Sequence, residues 1–165
     1  MEQIKKDIFN IHSREQFENV ALRIFRYQAE YIPIYQEYLT RLKVDVDEID
    51  SIEKIPFLPI QFFKTQQIKP TNLAEEVTFT SSGTTGNQTS RHLVVDVELY
   101  KKSFLASFKK FYGNPSDYCI LALLPSYLER KGSSLVFMVD ELIKQSGHSQ
   151  SGFFLNEFDK LAERL

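Results

Sequence analysis

Near residue 77 the hydrophobic period of this chain switches, and the switch limits what it can fold into. Before it, Phe17, Val20, Ala21, Ile24, Phe25 and Gln28 follow one another every three to four positions, the spacing of a helix packed on a core. After it come short apolar runs, "VTFT", "RHLVVD" and "YCILALLP", which predict strands. The last run has no polar alternation, so it predicts a strand buried on both faces of a parallel or mixed sheet. Helical periods return between these runs. The interleaving predicts an α/β fold, with N-terminal helices packed on a mixed β-sheet and further helices flanking it.

Capping and breaking residues place the boundaries. In "HSREQF", Ser13 is positioned to cap the amide of Gln16 while Gln16 reaches back, a capping box. Pro33 interrupts the period after Tyr31 and opens a second helix, "PIYQEYLTRL", near whose first turn a missing amide donor costs least. Pro56 and Pro59 exclude a regular helix over 55–60, which leaves a stiff apolar strap. Its Phe57, Leu58, Ile60, Phe62 and Phe63 are expected to wedge between the leading helices and the sheet. Asp96 caps a helix with Val97, Tyr100, Phe104, Phe108 and Phe111 on one face, ended by "YGNP". Another runs from Ser133 or Ser134 to Gly147 with Leu135, Met138, Val139, Leu142 and Ile143 on its face. Residues 1–165 are expected to form a single domain or part of one, organised as a helical lead-in over 1–50, the strap over 51–76 and an α/β part over 77–165. In "FFLNEFDKLAERL" a helix starts after a cap candidate, Asn156, with Phe158, Leu161 and Leu165 apolar and no stop signal. The 165 residues are therefore expected to be the front part of a longer protein.

Composition excludes several classes. Twenty Lys and Arg against 22 Asp and Glu leave a net charge of −2 without a basic cluster, so nucleic acid is not an expected partner. With 42% hydrophobic and 25% charged residues the chain is of ordinary globular composition. "YCILALLPSYL" is too short for a membrane span and "MEQIKKDIF" lacks a signal-peptide apolar region, so a cytoplasmic location is expected. Cys119 is the one cysteine, which rules out an internal disulfide, and its apolar run predicts a thiol packed as a small hydrophobe. His92 and His148 lack ligand spacing and read as structural, and no metal ligands are assigned.

Between the first two strand runs lies "TFTSSGTTGNQTSRHLVV". Gly83 and Gly86 permit positive φ, which lets successive amides converge on an anion, while Ser81, Ser82, Thr84 and Thr85 add hydroxyl donors. The loop is not of the Walker type, because no Lys follows the second glycine and the next segment is strand-like. Arg91 or a divalent cation would then supply the counter-charge. Composition alone equally allows a flexible Ser/Thr/Gly linker.

"TSSGTTG", residues 80–86, resembles the phosphate-binding signature of the adenylate-forming enzymes. Together with "ALRIFRYQAEYIPIYQEYL", "IPFLPIQFFKT", "SSGTTGNQTSRH" and "LALLPSYLERKGSSLVFMVDELI", the chain over 17–155 resembles the acyl-protein synthetases of bacterial bioluminescence, relatives of phenylacetate-CoA ligase. The resemblance implies the front part of an adenylate-forming N-terminal domain. It also implies ATP-dependent activation of a carboxylic acid, in this family a fatty acid, as acyl-AMP. The acyl group would pass to a thiol acceptor, CoA or a protein cysteine, and a reductase is a possible partner. Thr80, Ser81, Ser82, Gly83, Thr84, Thr85 and Gly86 would hold the phosphates of ATP with Mg²⁺, stabilising charge that moves onto the leaving pyrophosphate. Thr84 and Arg91 are the implied catalytic residues. Arg91 stands in for the Lys that closes the wider superfamily's signature, since "NQTSR" occurs here instead. "LPSYLERKGSS" follows the third strand run at the edge where α/β sheets bind ligands, which makes Ser126, Tyr127, Glu129 and Arg130 candidate substrate contacts. The family's adenine and ribose contacts, its late Lys and its acyl-accepting cysteine have no match here, and Cys119 does not take that last role. The alternatives are a non-catalytic module that binds a nucleotide or phosphate, or a protein-interaction module with an idle loop.

Overall fold

The structure is a computed structural model that describes residues 1–81, 89–125 and 132–164. In chain order the described elements are α1 (Glu2–Asp7), α2 (Arg14–Tyr31), α3 (Pro33–Arg41), α4 (Phe62–Thr65), β1 (Val77–Thr80), β2 (Arg91–Val94), α5 (Val97–Tyr112), β3 (Leu121–Ala122), α6 (Ser134–Ser146), β4 (Gly152–Phe153) and α7 (Phe158–Ala162). Single 3-10 turns occupy Val46–Glu48, Ile52–Lys54 and Pro115–Asp117. The chain is thus mixed α/β, as its periods predict. Two compact units divide it: residues 1–75 with 90–95, and residues 76–89 with 96–165. No helix among the described residues is long and apolar enough to cross a membrane.

The first unit joins the lead-in to the strap. Ser13 Oγ accepts the Gln16 amide at 3.1 Å, and the Gln16 side chain accepts the His12 amide at 2.7 Å, one residue upstream of the cap's own. Ile32, held extended by the proline that follows it, turns the chain from α2 into α3. The two helices close on Phe25, Ala29, Ile32, Tyr35 and Leu39, with Ile49 and Ile55 completing the core. The Phe25 and Tyr35 rings meet edge to face at 6.1 Å. The Tyr35 hydroxyl donates to the Pro56 carbonyl at 2.9 Å, which fastens the strap to α3. Leu58 packs against the core, but Phe57 and Ile60 are 71% and 73% exposed, against the expectation that the whole strap is buried. Ile55 has the φ −67°, ψ 119° of a polyproline-II-like chain, whose period is three residues, so Ile55 and Leu58 share the inward side while Phe57 and Ile60 share another. The short α1 was not evident from the sequence because six residues cannot display a period. It is tied to α2 by Arg23 Nη1 donating to Asp7 Oδ2 at 2.6 Å.

The second unit is built around aromatic rings. Phe79 of β1, 3% exposed, lies 5.0 Å from the Tyr100 ring of α5 and 5.3 Å from the Phe137 ring of α6. Asp96 caps α5 as expected, accepting the Leu99 amide at 2.7 Å, and Lys101 lies 3.1 Å from Glu98 and 3.7 Å from Glu141 of α6.

Several expectations are corrected here. The predicted doubly buried strand shrinks to Leu121–Ala122, paired in parallel with Gly152–Phe153 in a two-residue register. Tyr118 and Leu123 are 40% and 53% exposed, and Cys119 is exposed rather than packed. The Tyr118 hydroxyl donates to the Tyr112 carbonyl and its ring meets that of Phe108, so the start of the run is held by α5 instead of a ladder. Phe111 is 77% exposed, beyond the part of α5 that faces α6. On α6 the most deeply buried side chain is Val136, 2% exposed, while Leu135, assigned to the inner face, is half exposed. Phe79 draws Phe137 inward, which rotates that face by one to two positions. At the end of the chain Glu157, not Asn156, occupies the cap of α7 and makes no side-chain cap bond.

Candidate functional site

The candidate site starts where β1 ends. Phe79 is anchored in the aromatic core, so Thr80, next along the strand, turns to the opposite face and is exposed. The Thr80 amide donates to the Gly132 carbonyl at 2.8 Å. Gly132 stands at φ +83°, where an added Cβ would lie 3.4 Å from Thr80 Oγ1 and 3.7 Å from the Thr78 carbonyl oxygen. The positive φ favours glycine here, whereas the added contacts would be ordinary van der Waals ones. Immediately after it, Ser133 caps α6, its hydroxyl accepting the Val136 amide at 3.4 Å.

This arrangement brings together the roots of two polar loops. One leaves from Thr80 and Ser81, the other returns at Gly132 into α6. The first turn of α6 holds no acidic residue, so the positive end of a 13-residue helix sits beside the end of β1 without an internal counter-charge in that turn. Ser82, Gly83, Thr84, Thr85 and Gly86 lie outside the described residues, as do Ser126, Tyr127, Glu129 and Arg130. Gly132 was not singled out from the sequence. Its signal is "KGSS", a glycine directly before a serine cap, which only the approach of β1 makes meaningful.

Arg91 opens β2 in the first unit and is exposed. It borders a cleft of about 490 Å³ with Thr65, Gln66, Lys69, Thr71 and Glu37. The Lys69 ammonium donates to the Glu75 carboxylate and to the Leu73 carbonyl, and that first bond holds the Glu75 carboxyl below its ordinary range. His92 sits edge to face with Phe63 at 6.2 Å, and desolvation holds its imidazole below the usual value. His148 stabilises the turn into β4, its Nδ1 accepting the Gln150 amide at 3.2 Å. Ser146, 6% exposed, joins the same turn through Ser151 Oγ at 2.8 Å. Among the described residues no group of three or more His, Cys, Asp or Glu is placed to hold a metal ion.

Comparison of the chain with family models, with curated proteins and with solved structures finds no match.

Proposed function

We propose that the chain carries the phosphate-binding part of an adenylate-forming ligase, which activates a carboxylic acid, a fatty acid by the resemblance, as acyl-AMP for transfer to a thiol of CoA or a protein. The observation that carries this reading is the Thr80 to Gly132 hydrogen bond. Two segments assigned to ligand contact on separate grounds, 80–86 and 126–130, are rooted at one bonded point beside the amino end of α6.

The chemistry asks for donors fixed in advance around three phosphates. In the reaction a carboxylate oxygen attacks the α-phosphorus, the bond to the bridging oxygen breaks, and pyrophosphate leaves with the added charge. Donors that keep their places while charge moves lower the barrier without reorganising. By the resemblance, Thr80 and Ser81 together with Ser82, Gly83, Thr84, Thr85 and Gly86 would hold the phosphates, and Thr84 and Arg91 would take the catalytic role. Ser126, Tyr127, Glu129 and Arg130 would approach from the second loop. Mg²⁺ ordinarily keeps several waters and binds through one or two carboxylates plus the phosphates themselves, so it would arrive with ATP and neutralise the departing charge.

The test is an NMR titration with magnesium tripolyphosphate, followed at the Gly83 and Gly86 amides. Saturable shifts confined to 80–86, Arg91 and 132–136 are expected, and no change in the Gly83 and Gly86 amides overturns the reading. Carboxylate-dependent exchange of pyrophosphate into ATP then separates a ligase from the second reading, a phosphate-binding module without catalysis.

A further inference from the structure

We infer that the first unit binds an uncharged hydrocarbon chain in the cleft between α2 and the proline strap. The cleft measures about 460 Å³. Phe17, Ala21 and Ile24 form one wall along α2, Phe57 and Leu58 form the other, and the floor is made by core residues such as Phe25 and Tyr35. This is the outward use of the face whose inner edge supplies the core. No lining residue carries a charge, and the side-chain polar atoms are those of Gln28 and Tyr35. The Tyr35 hydroxyl is already engaged with the Pro56 carbonyl.

That chemistry selects the occupant. An extended peptide laid here would leave its amides and carbonyls against apolar walls with no partners, a loss that its contacts do not recover. A helix about 10 Å across would fit little more than one turn of about 5.4 Å into the volume. Phosphate or carboxylate would meet no cation. A hydrocarbon gives up nothing on leaving water and gains from every wall it touches. An engineered apolar cavity of about 150 Å³ holds benzene, so this cleft takes about three times that bulk. Its strap wall is set in advance, because Pro56 and Pro59 restrict the backbone and the Tyr35 bond holds it at Pro56. Pre-formed apolar clefts in this size range are the usual form of small-molecule sites.

The experiment uses the 165-residue chain with labelled isoleucine methyls, titrated with 1-hexanol, 1-octanol and 1-decanol. Saturable shifts are expected at Ile24, Ile52, Ile55 and Ile68, with Ile143 of the second unit unmoved. Affinity should rise about fourfold for each added CH₂ until the cleft is full. Ala21→Phe, which fills the cleft from a half-buried helical position, should lower decanol affinity more than tenfold while the thermal midpoint holds. Shifts that never saturate, or affinity indifferent to chain length, would overturn the proposal. So would shifts in the free chain that track its own concentration, because a second copy would then be the occupant. The inference stands on the first unit alone. An alcohol has no carboxylate to activate, so alkanol binding and carboxylate-dependent exchange can fail separately.

Discussion

Tyr35 shows how one side chain couples the core to the strap. Its hydroxyl is desolvated and donates to the Pro56 carbonyl, and its pKa is pushed up to about 12, chiefly by burial. A phenol held neutral in the fold ionises first in the unfolded chain, whose tyrosine titrates near 10. The stabilisation is therefore complete below pH 10 and declines as pH rises from 10 towards 12. Tyr35→Phe should cost about 1 kcal/mol at neutral pH by leaving the carbonyl without its donor. Urea midpoints of the two proteins should converge between pH 10 and 12. Gly132 is the second such residue. Gly132→Ala places a side chain at φ +83° and against Thr80, so a loss of about 1–2 kcal/mol is expected in thermal unfolding, together with weaker tripolyphosphate binding. A loss of stability with unchanged phosphate affinity would detach Gly132 from the site.

Helices and strap test which aromatic residues hold the fold. Phe25 and Phe57 are alike in the sequence, each within an apolar cluster, yet Phe25 is 2% exposed and Phe57 71%. Phe25→Ala should destabilise by about 3–5 kcal/mol, whereas Phe57→Ala should stay within about 0.5 kcal/mol of the parent in denaturant unfolding. Equal losses would mean that the strap packs otherwise than described. The docking of α1 belongs to the same scale. Hydrogen bonds from Arg23 first, then Gln3, hold the Asp7 carboxyl below its ordinary value, so the stability it contributes is present above about pH 4 and is lost as pH falls through the lowered folded value. An NMR titration of Asp7 should show that depression, and Arg23→Ala should remove it. Helix starts were legible because Ser13, Asp96 and Ser133 act through their own local hydrogen bonds and Pro33 through its fixed backbone torsion. Inner faces were less legible, since Leu135 and Val136 differ only in which of them meets the packed aromatic rings.

At the scale of the whole molecule, a ligand that binds only the folded chain must raise its midpoint. Magnesium tripolyphosphate at about a hundred times its dissociation constant should add about 2.7 kcal/mol to unfolding, visible as a saturable rise in Tm. No rise at any concentration would leave the loop idle. By itself the sequence determined the mixed helix and strand content, the Ser13, Asp96 and Ser133 caps and the helix start at Pro33, because each rests on bonds or torsions within a few residues. Only the tertiary structure decided that the strap joins the lead-in helices in one unit, that Cys119 and Phe57 face outward, and that Thr80 is bonded to Gly132. Those outcomes depend on which surfaces meet across tens of residues. An apolar run states that burial is favourable without stating what will cover it, and a glycine before a serine cap acquires its meaning when the β1 strand hydrogen-bonds to it at 2.8 Å.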